Sequence, residues 1–113
     1  MKLYIITGTS SGIGRALALE VLKDSTAHVL GLSRRQNIEH ERYRHQTLEL
    51  SKIAELENLE FPISGNEEEI ILVNNAGWIG EISPLGMQDH LAIEESFNIN
   101  LIAPTVLINQ FLI

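Results

Sequence analysis

The stretch Thr7-Gly8-Thr9-Ser10-Ser11-Gly12-Ile13-Gly14 constrains this chain more than any other. It follows a short apolar run, Leu3 to Thr7, and opens a segment of helical periodicity. Between a strand and a helix each glycine answers a separate need. Gly8 lets the chain turn off the strand, Gly12 lets backbone N–H groups approach an anion without a Cβ in the way, and Gly14 lets the helix pack close to the sheet. The N-terminus of such a helix has unpaired N–H groups and a partial positive charge, which favour a pyrophosphate, and Thr9, Ser10 and Ser11 are expected to add hydroxyl donors. A triphosphate loop needs Lys and Ser/Thr directly after its closing glycine. Here Gly14 is followed by Arg15-Ala16, which disfavours ATP and GTP chemistry. The plain alternative is an ordinary glycine-rich turn.

The rest of the chain repeats the alternation. Leu3 to Thr7 reads as a strand buried on both faces, and Gly12 to Lys23 as a helix with Ile13, Leu17, Leu19, Val21 and Leu22 mostly on one side. Ala27 to Ser33 reads as a second strand, Gln46 to Leu50 as a weaker third, Lys52 to Leu59 as a short helix and Glu69 to Val73 as a fourth strand. Met87 to Ile113 reads as one helix bent at Pro104. Strands alternating with helices imply an α/β fold: a Rossmann-type doubly wound parallel sheet, of which this chain supplies about four strands with flanking helices. Ligands of such a sheet bind at the carboxyl ends of the strands.

At 113 residues there is room for one domain, 1–113. Fifteen Asp and Glu against eight Lys and Arg give a formal charge of −7, so neither nucleic acid nor an anionic membrane surface is expected as a partner. The chain has no cysteine, which excludes disulfides, thiolate metal sites and cysteine nucleophiles. A cytoplasmic location is the expectation, and the first apolar run is too short to be a signal or a span. His28, His40, His45 and His90 show no metal spacing and are read as surface or loop residues, and Glu67-Glu68-Glu69 as a solvated loop end.

About twenty residues past the last glycine, a site for NAD places an acidic side chain on the ribose 2′-hydroxyl. This chain has Ser33-Arg34-Arg35 there. A guanidinium cannot accept from a hydroxyl but can fork onto a 2′-phosphate, so the expected cofactor is NADP(H), with Arg34 the first choice and Arg35 beside it. Two arginines on a solvated loop are the plain alternative.

With TGTSSGIG at 7–14, Asn74-Asn75-Ala76-Gly77 after the fourth strand and Ile99-Asn100-Leu101 in the last helix, the chain resembles the short-chain dehydrogenases/reductases over essentially its whole length. Its Ser-Arg-Arg looks like the NADP-preferring members, nearest the bacterial benzil and sepiapterin reductase-like group. The resemblance implies a carbonyl reductase or alcohol dehydrogenase that moves hydride between NADPH and a small carbonyl or alcohol. It implies that Asn74, Asn75, Ala76 and Gly77 cap the fourth strand and line the cofactor side, with Asn74 and Ala76 touching the adenosine ribose or steadying the central sheet and Gly77 allowing close approach. Asn100 matches the family's catalytic asparagine, which bends its helix and holds a water of a proton relay; an asparagine with a structural backbone partner is the alternative. Glu49 stands where the family usually has an Asp against the adenine.

The family's strand-five serine and Tyr-x-x-x-Lys do not occur: the tyrosines are Tyr4 and Tyr43, and Thr47 stands four residues after Tyr43. The expectation is therefore a fragment or truncated reading frame, the cofactor half of an oxidoreductase and itself inactive. The alternative is a non-catalytic NADP(H)-binding or interaction fragment. The apolar last helix, as in complete relatives, is expected to make a homo-oligomer contact, and Trp78, which begins the loop expected near the substrate side, either walls the pocket or packs over the strand end.

Overall fold

The structure, a computed structural model, describes residues 1–57, 59–78, 83–84 and 86–112. It divides into two compact units, one of residues 1–49 and 60–76 and one of residues 50–59 and 77–113.

The first unit is a four-stranded parallel sheet. β1 (Lys2–Thr7) lies between β2 (Ala27–Ser33) and β4 (Glu69–Val73), and β3 (Tyr43–Thr47) pairs with the far side of β2, giving the order β3-β2-β1-β4. Register runs Lys2↔Ala27 to Thr7↔Leu32 on one side of β1 and Lys2↔Glu69 to Ile6↔Val73 on the other. β1 has the central place that its unbroken apolar run calls for: Ile5 and Ile6 are wholly buried, each contributing roughly 2 kcal/mol. The order reverses direction between β1 and β4, the switch point at which doubly wound sheets bind ligands.

Helix α1 (Gly12–Val21) packs on this sheet, with Ala18 and Leu22 in a cluster with Ile6, Val29, Ile38 and Tyr43, and with Leu17 and Val21 against it. The helix is rotated from the apolar stripe read in the sequence. Ile13 is 79% exposed and Leu19 is exposed too, because the small residues Gly14 and Ala18 face the sheet instead. A helix approaches most closely where it has least side chain, and that contact sets the rotation. The helix ends two residues short of Lys23, and its C-terminal turn is bound by Arg42. Nη1 of Arg42 donates to the carbonyls of Asp24 (2.6 Å) and Ala27 (2.7 Å), and Nη2 to that of Leu22 (2.7 Å). Hydrogen bonds from a charged donor contribute about 1.5–3 kcal/mol each when deleted, less here for partial exposure. An Arg42→Met chain is expected to be less stable by about 2 kcal/mol in urea unfolding; no change in midpoint would show that water replaces the guanidinium at no cost.

β3 begins three residues before the run read as a strand and ends at Thr47, so the expectation of Gln46 to Leu50 is corrected. Of its five residues only Tyr43 is buried, and it is the side chain that anchors pairing with β2. Leu48 and Leu50, the apolar signal in the sequence, are buried beyond the strand's end, with Leu48 N–H still donating to the Ser33 carbonyl at 2.9 Å. His45 lies half-buried on β3 rather than at the surface.

The loop before β4 is held by one of its acids. The Glu67 carboxylate accepts from Ser64 N–H (2.9 Å), Ser64 Oγ (2.8 Å) and Gly65 N–H (2.9 Å), and the Ser64 bonds hold its pKa down to about 2, while Glu68 meets the N-terminal ammonium. The run is thus partly structural rather than only solvated. A depressed carboxylate adds stability that is fully present above pH 4.5 and is lost as the pH falls towards 2. Amide exchange at Ser64 and Gly65 is expected to quicken over that window, and Glu67→Gln to remove the dependence.

The second unit holds α2 (Ile53–Leu56), α3 (His90–Phe97), a π turn (Asn98–Ile102) and α4 (Ala103–Phe111). The helix expected over Lys52 to Leu59 is a single turn, and Asn58 within it lies outside the described residues, as does Ile113 at the end of the last tract. The bend expected at Pro104 falls just before it. Proline has no N–H and its ring crowds the preceding turn, so the helix widens over Asn98–Ile102 and Pro104 sits at the start of α4. Thr105 Oγ1 donates to the Leu101 carbonyl at 2.7 Å. Leu56 and Leu107 are fully buried, and Gln110 Nε2 donates to the Leu56 carbonyl at 2.6 Å. The tract His90–Phe111 is, by length and composition, long and apolar enough to cross a membrane. Within this unit Asn98 Nδ2 and Gln110 Nε2 donate to carbonyls of the 50–59 segment.

Candidate functional site: a glycine loop at the sheet's carboxyl edge

Gly8 and Gly12 both take left-handed backbone angles, with φ of +74° and +58°, which only glycine adopts without strain. Nothing among the described residues lies within 4 Å of the place a Cβ on Gly12 would occupy, so the loop presents bare backbone there. Ser11, at the N-cap of α1, makes no side-chain cap to the helix, and no acidic side chain occupies its first turn. The first-turn N–H groups and the positive end of the helix therefore face outward for an anion. Ile13, also expected at the site, stands exposed beside them. Gly14 faces the other way: a Cβ on it would strike the backbone carbonyl of Gly8.

Neighbouring elements hold the loop. Thr7 Oγ1, at the end of β1, accepts from the backbone N–H of Asn75 (3.0 Å) and Ala76 (2.9 Å), while Asn75 Nδ2 donates to the Thr7 carbonyl (3.2 Å). Asn75 and Ala76 thus tie the carboxyl ends of β1 and β4 together, a part for which the resemblance named Asn74 and Ala76 rather than Asn75. Asn74 is exposed. A Cβ on Gly8 would lie 3.1 Å from the Ala76 Cα, so Gly8 is required by closeness as well as by its φ. Asn37 Nδ2 donates to the Ser10 carbonyl (2.8 Å), and Arg15 Nε to the Asn37 carbonyl (3.3 Å). Thr9, expected to offer a hydroxyl to phosphate, turns inward instead: it is wholly buried, with Oγ1 2.8 Å from Tyr43 Oη.

Tyr43 in turn lies 3.2 Å from His45 Nδ1. Burial pushes the Tyr43 phenol up, against the opposing bond from Thr9, and pushes the His45 imidazole down, against a backbone contact with Ser33. Both are therefore neutral at physiological pH. Tyr43, Thr7 and Asn37 escaped sequence reasoning. One signal was available: Gly31 sits inside an apolar strand, where glycine marks close approach, and the Tyr43 ring fills the place of its missing side chain.

Where β2 ends, Ser33 Oγ donates to the Arg35 carbonyl (2.8 Å), closing a turn that puts Arg34 at its tip. Arg34 Nε is 3.9 Å from Glu49 Oε2, with the Arg34 side chain 74% exposed and that of Glu49 29%. Glu49, expected against an adenine, thus lies at the arginine. At this distance and exposure the pair is weak, and Arg34 and Arg35 remain open to solvent.

In the second unit the Asn100 amide closes on the backbone of Trp78: Oδ1 accepts from Trp78 N–H (2.8 Å), and Nδ2 donates to the Trp78 carbonyl and to Ser96 Oγ (3.2 Å). A Cβ on Gly77 would be 3.3 Å from Asn100 Oδ1, a tight approach. Asn100 lies inside the π turn, so its helix is locally distorted as expected, and its side chain has the structural backbone partner of the alternative reading.

A match to the short chain dehydrogenase family runs over residues 2–113. The chain belongs to that family. A benzil reductase ((S)-benzoin forming) of Bacillus cereus is 34% identical over 125 aligned residues, covering 99% of this chain and 50% of the relative. A benzil reductase ((S)-benzoin forming) of Bacillus subtilis (strain 168) is 32% identical, with coverage of 98% and 48%. The chain spans about half the length of these curated relatives. Among solved structures, a short-chain dehydrogenase/reductase from Burkholderia vietnamiensis superposes with a TM-score of 0.86 at 28% identity, over 96% of this chain and 55% of its own. The partial Rossmann-type sheet read from the sequence is thus the fold that this family has.

Proposed function

We propose that this chain is the cofactor-binding half of an NADP-dependent short-chain oxidoreductase that exchanges hydride between NADPH and a small carbonyl or alcohol. One observation carries the cofactor assignment: the turn closed by Ser33 and Arg35 presents Arg34 to solvent at the end of β2, where a guanidinium forks onto a ribose 2′-phosphate. The residues fit the rest of the cofactor. The bare Gly12 backbone and the outward N–H groups of Ser11 to Ile13 suit a pyrophosphate, and Asn74 to Ala76 border the switch point between β1 and β4. When bound, the nicotinamide supplies or accepts the hydride. Asn100 serves that reaction through position, by fixing the Trp78 backbone and sitting in a distorted turn.

The test is binding. The chain is expected to hold NADPH at least about tenfold more tightly than NADH, and Arg34→Ala to remove most of that difference, since a charge-assisted fork is worth about 1.5–3 kcal/mol. Equal affinity for the two nucleotides would reject NADP preference, and binding of neither would reject the function.

The second reading, an NADP(H)-binding or interaction fragment without catalysis, has its own observation. Neither tyrosine is followed by the family's lysine, and Tyr43 is enclosed beneath the loop. For these 113 residues no NADPH oxidation is expected with dicarbonyls or aldehydes. Within the proposal, the exposed Leu91, Phe97, Leu101 and Ile108 of the last helical tract face a second copy, and the protein works in the cytoplasm.

A further inference from the structure

Thr9 stands between Gly8 and Gly12, the two left-handed residues of the loop. Those glycines give the turn its freedom, so a residue pinned between them decides which of its conformations is held. Thr7 and the Ser10 carbonyl are tied by partly exposed groups. Thr9 alone in the loop is tied side chain to side chain in a buried place, to a phenol on a strand 34 residues away. A hydrogen bond in such surroundings is strengthened by the low local dielectric, and losing one partner leaves the other buried and unsatisfied.

We propose that Tyr43 is a positioning residue for the nucleotide: through Thr9 it fixes the turn that aims the backbone N–H groups of Ser10 to Gly12, a role that rests on the cofactor-binding reading above. The hollow at Gly31 admits the phenol, because a Cβ there would overlap Tyr43 Oη and lie 2.5 Å from Thr9 Oγ1. His45 completes the device. Its Nδ1 stands 3.2 Å from Tyr43 Oη, so the phenol has a second polar neighbour besides Thr9. Burial favours the neutral forms of both Tyr43 and His45. Tyr43 is buried, and it acts through Thr9.

Four variants of the chain test the proposal: Tyr43→Phe, Thr9→Val, the two together, and Thr9→Ser. Two readouts are used, the dissociation constant for NADPH and amide hydrogen exchange of residues 8–12 without nucleotide. Tyr43→Phe and Thr9→Val are each expected to weaken NADPH binding about tenfold and to speed exchange in the loop, with the amides of β1 and β2 unchanged. The double variant is expected to be no worse than either single one, because the bond is lost once. Thr9→Ser keeps the hydroxyl and is expected to keep the affinity. A Tyr43→Phe chain that binds NADPH within twofold of the parent overturns the proposal, as does a double variant whose losses add. If Tyr43→Phe does not fold, Thr9→Val against Thr9→Ser decides the same point. A parent chain that binds neither NADPH nor NADH removes the cofactor reading, and exchange at residues 8–12 then decides whether Tyr43 orders the turn.

Discussion

A Gly14→Ala chain is expected to lose about 3 kcal/mol or more of stability, a large share of the roughly 5–15 kcal/mol that a natural domain has. The added methyl would overlap the carbonyl oxygen of Gly8 and come within 2.8 Å of its carbonyl carbon. Those are backbone atoms, held in turn by the bond from Gly8 N–H to the Leu32 carbonyl at 2.9 Å. Neither the loop nor β1 can withdraw without breaking the sheet's carboxyl edge, so α1 would have to lift off. Gly12→Ala is the informative contrast. Its methyl would meet open space, and the cost is confined to an unfavourable φ, about 1–2 kcal/mol. Urea unfolding is expected to separate the two variants clearly, with Gly12→Ala folded yet weak in nucleotide binding. Equal midpoints for the two would show that α1 does not rest on the loop as the structure has it.

Gly31→Ala is expected to cost a similar amount, for a different reason. A methyl in the middle of β2 would occupy the place of the Tyr43 hydroxyl and crowd its Cζ at 2.6 Å. Here the obstacle is a side chain, but one that is buried in a cluster with Ile6, Ala18 and Val29. Expulsion of the ring would forfeit its burial, of order 2–3 kcal/mol, and the bond to Thr9, about 1 kcal/mol. Because the loss lies in one contact, Tyr43→Val is expected to relieve it in part: the double variant should be more stable than the sum of the two single changes predicts. Strict additivity in thermal or urea unfolding would mean that the two positions do not share the hollow.

Both predictions turn on contacts of which the sequence showed one side only. It displayed the glycine loop in its strand–turn–helix setting, the apolar runs of β1, β2 and β4, and the arginines after β2, since these depend on local periodicity and on what glycine alone permits. β3 was misplaced by three residues because its pairing is decided by Tyr43 entering the hollow at Gly31, whereas the apolar signal, Leu48 and Leu50, belongs to buried residues past the strand. The rotation of α1 was misread because bulk drew attention to Ile13 and Leu19, while contact with the sheet is made by Gly14 and Ala18.

The functional residues divide in the same way. Gly8, Gly12, Gly14 and Arg34 could be named in advance because each answers a need of the backbone or of a charged ligand at a fixed distance along the chain. That the Thr9 hydroxyl faces inward, that Asn75 and Ala76 bind Thr7, and that Asn100 closes on Trp78 depended on which distant segments meet. A sequence records conformational preference and charge residue by residue. The direction of a short polar side chain is fixed by the partner nearest to it after folding, and for these residues the partner lies 22 to 69 positions away.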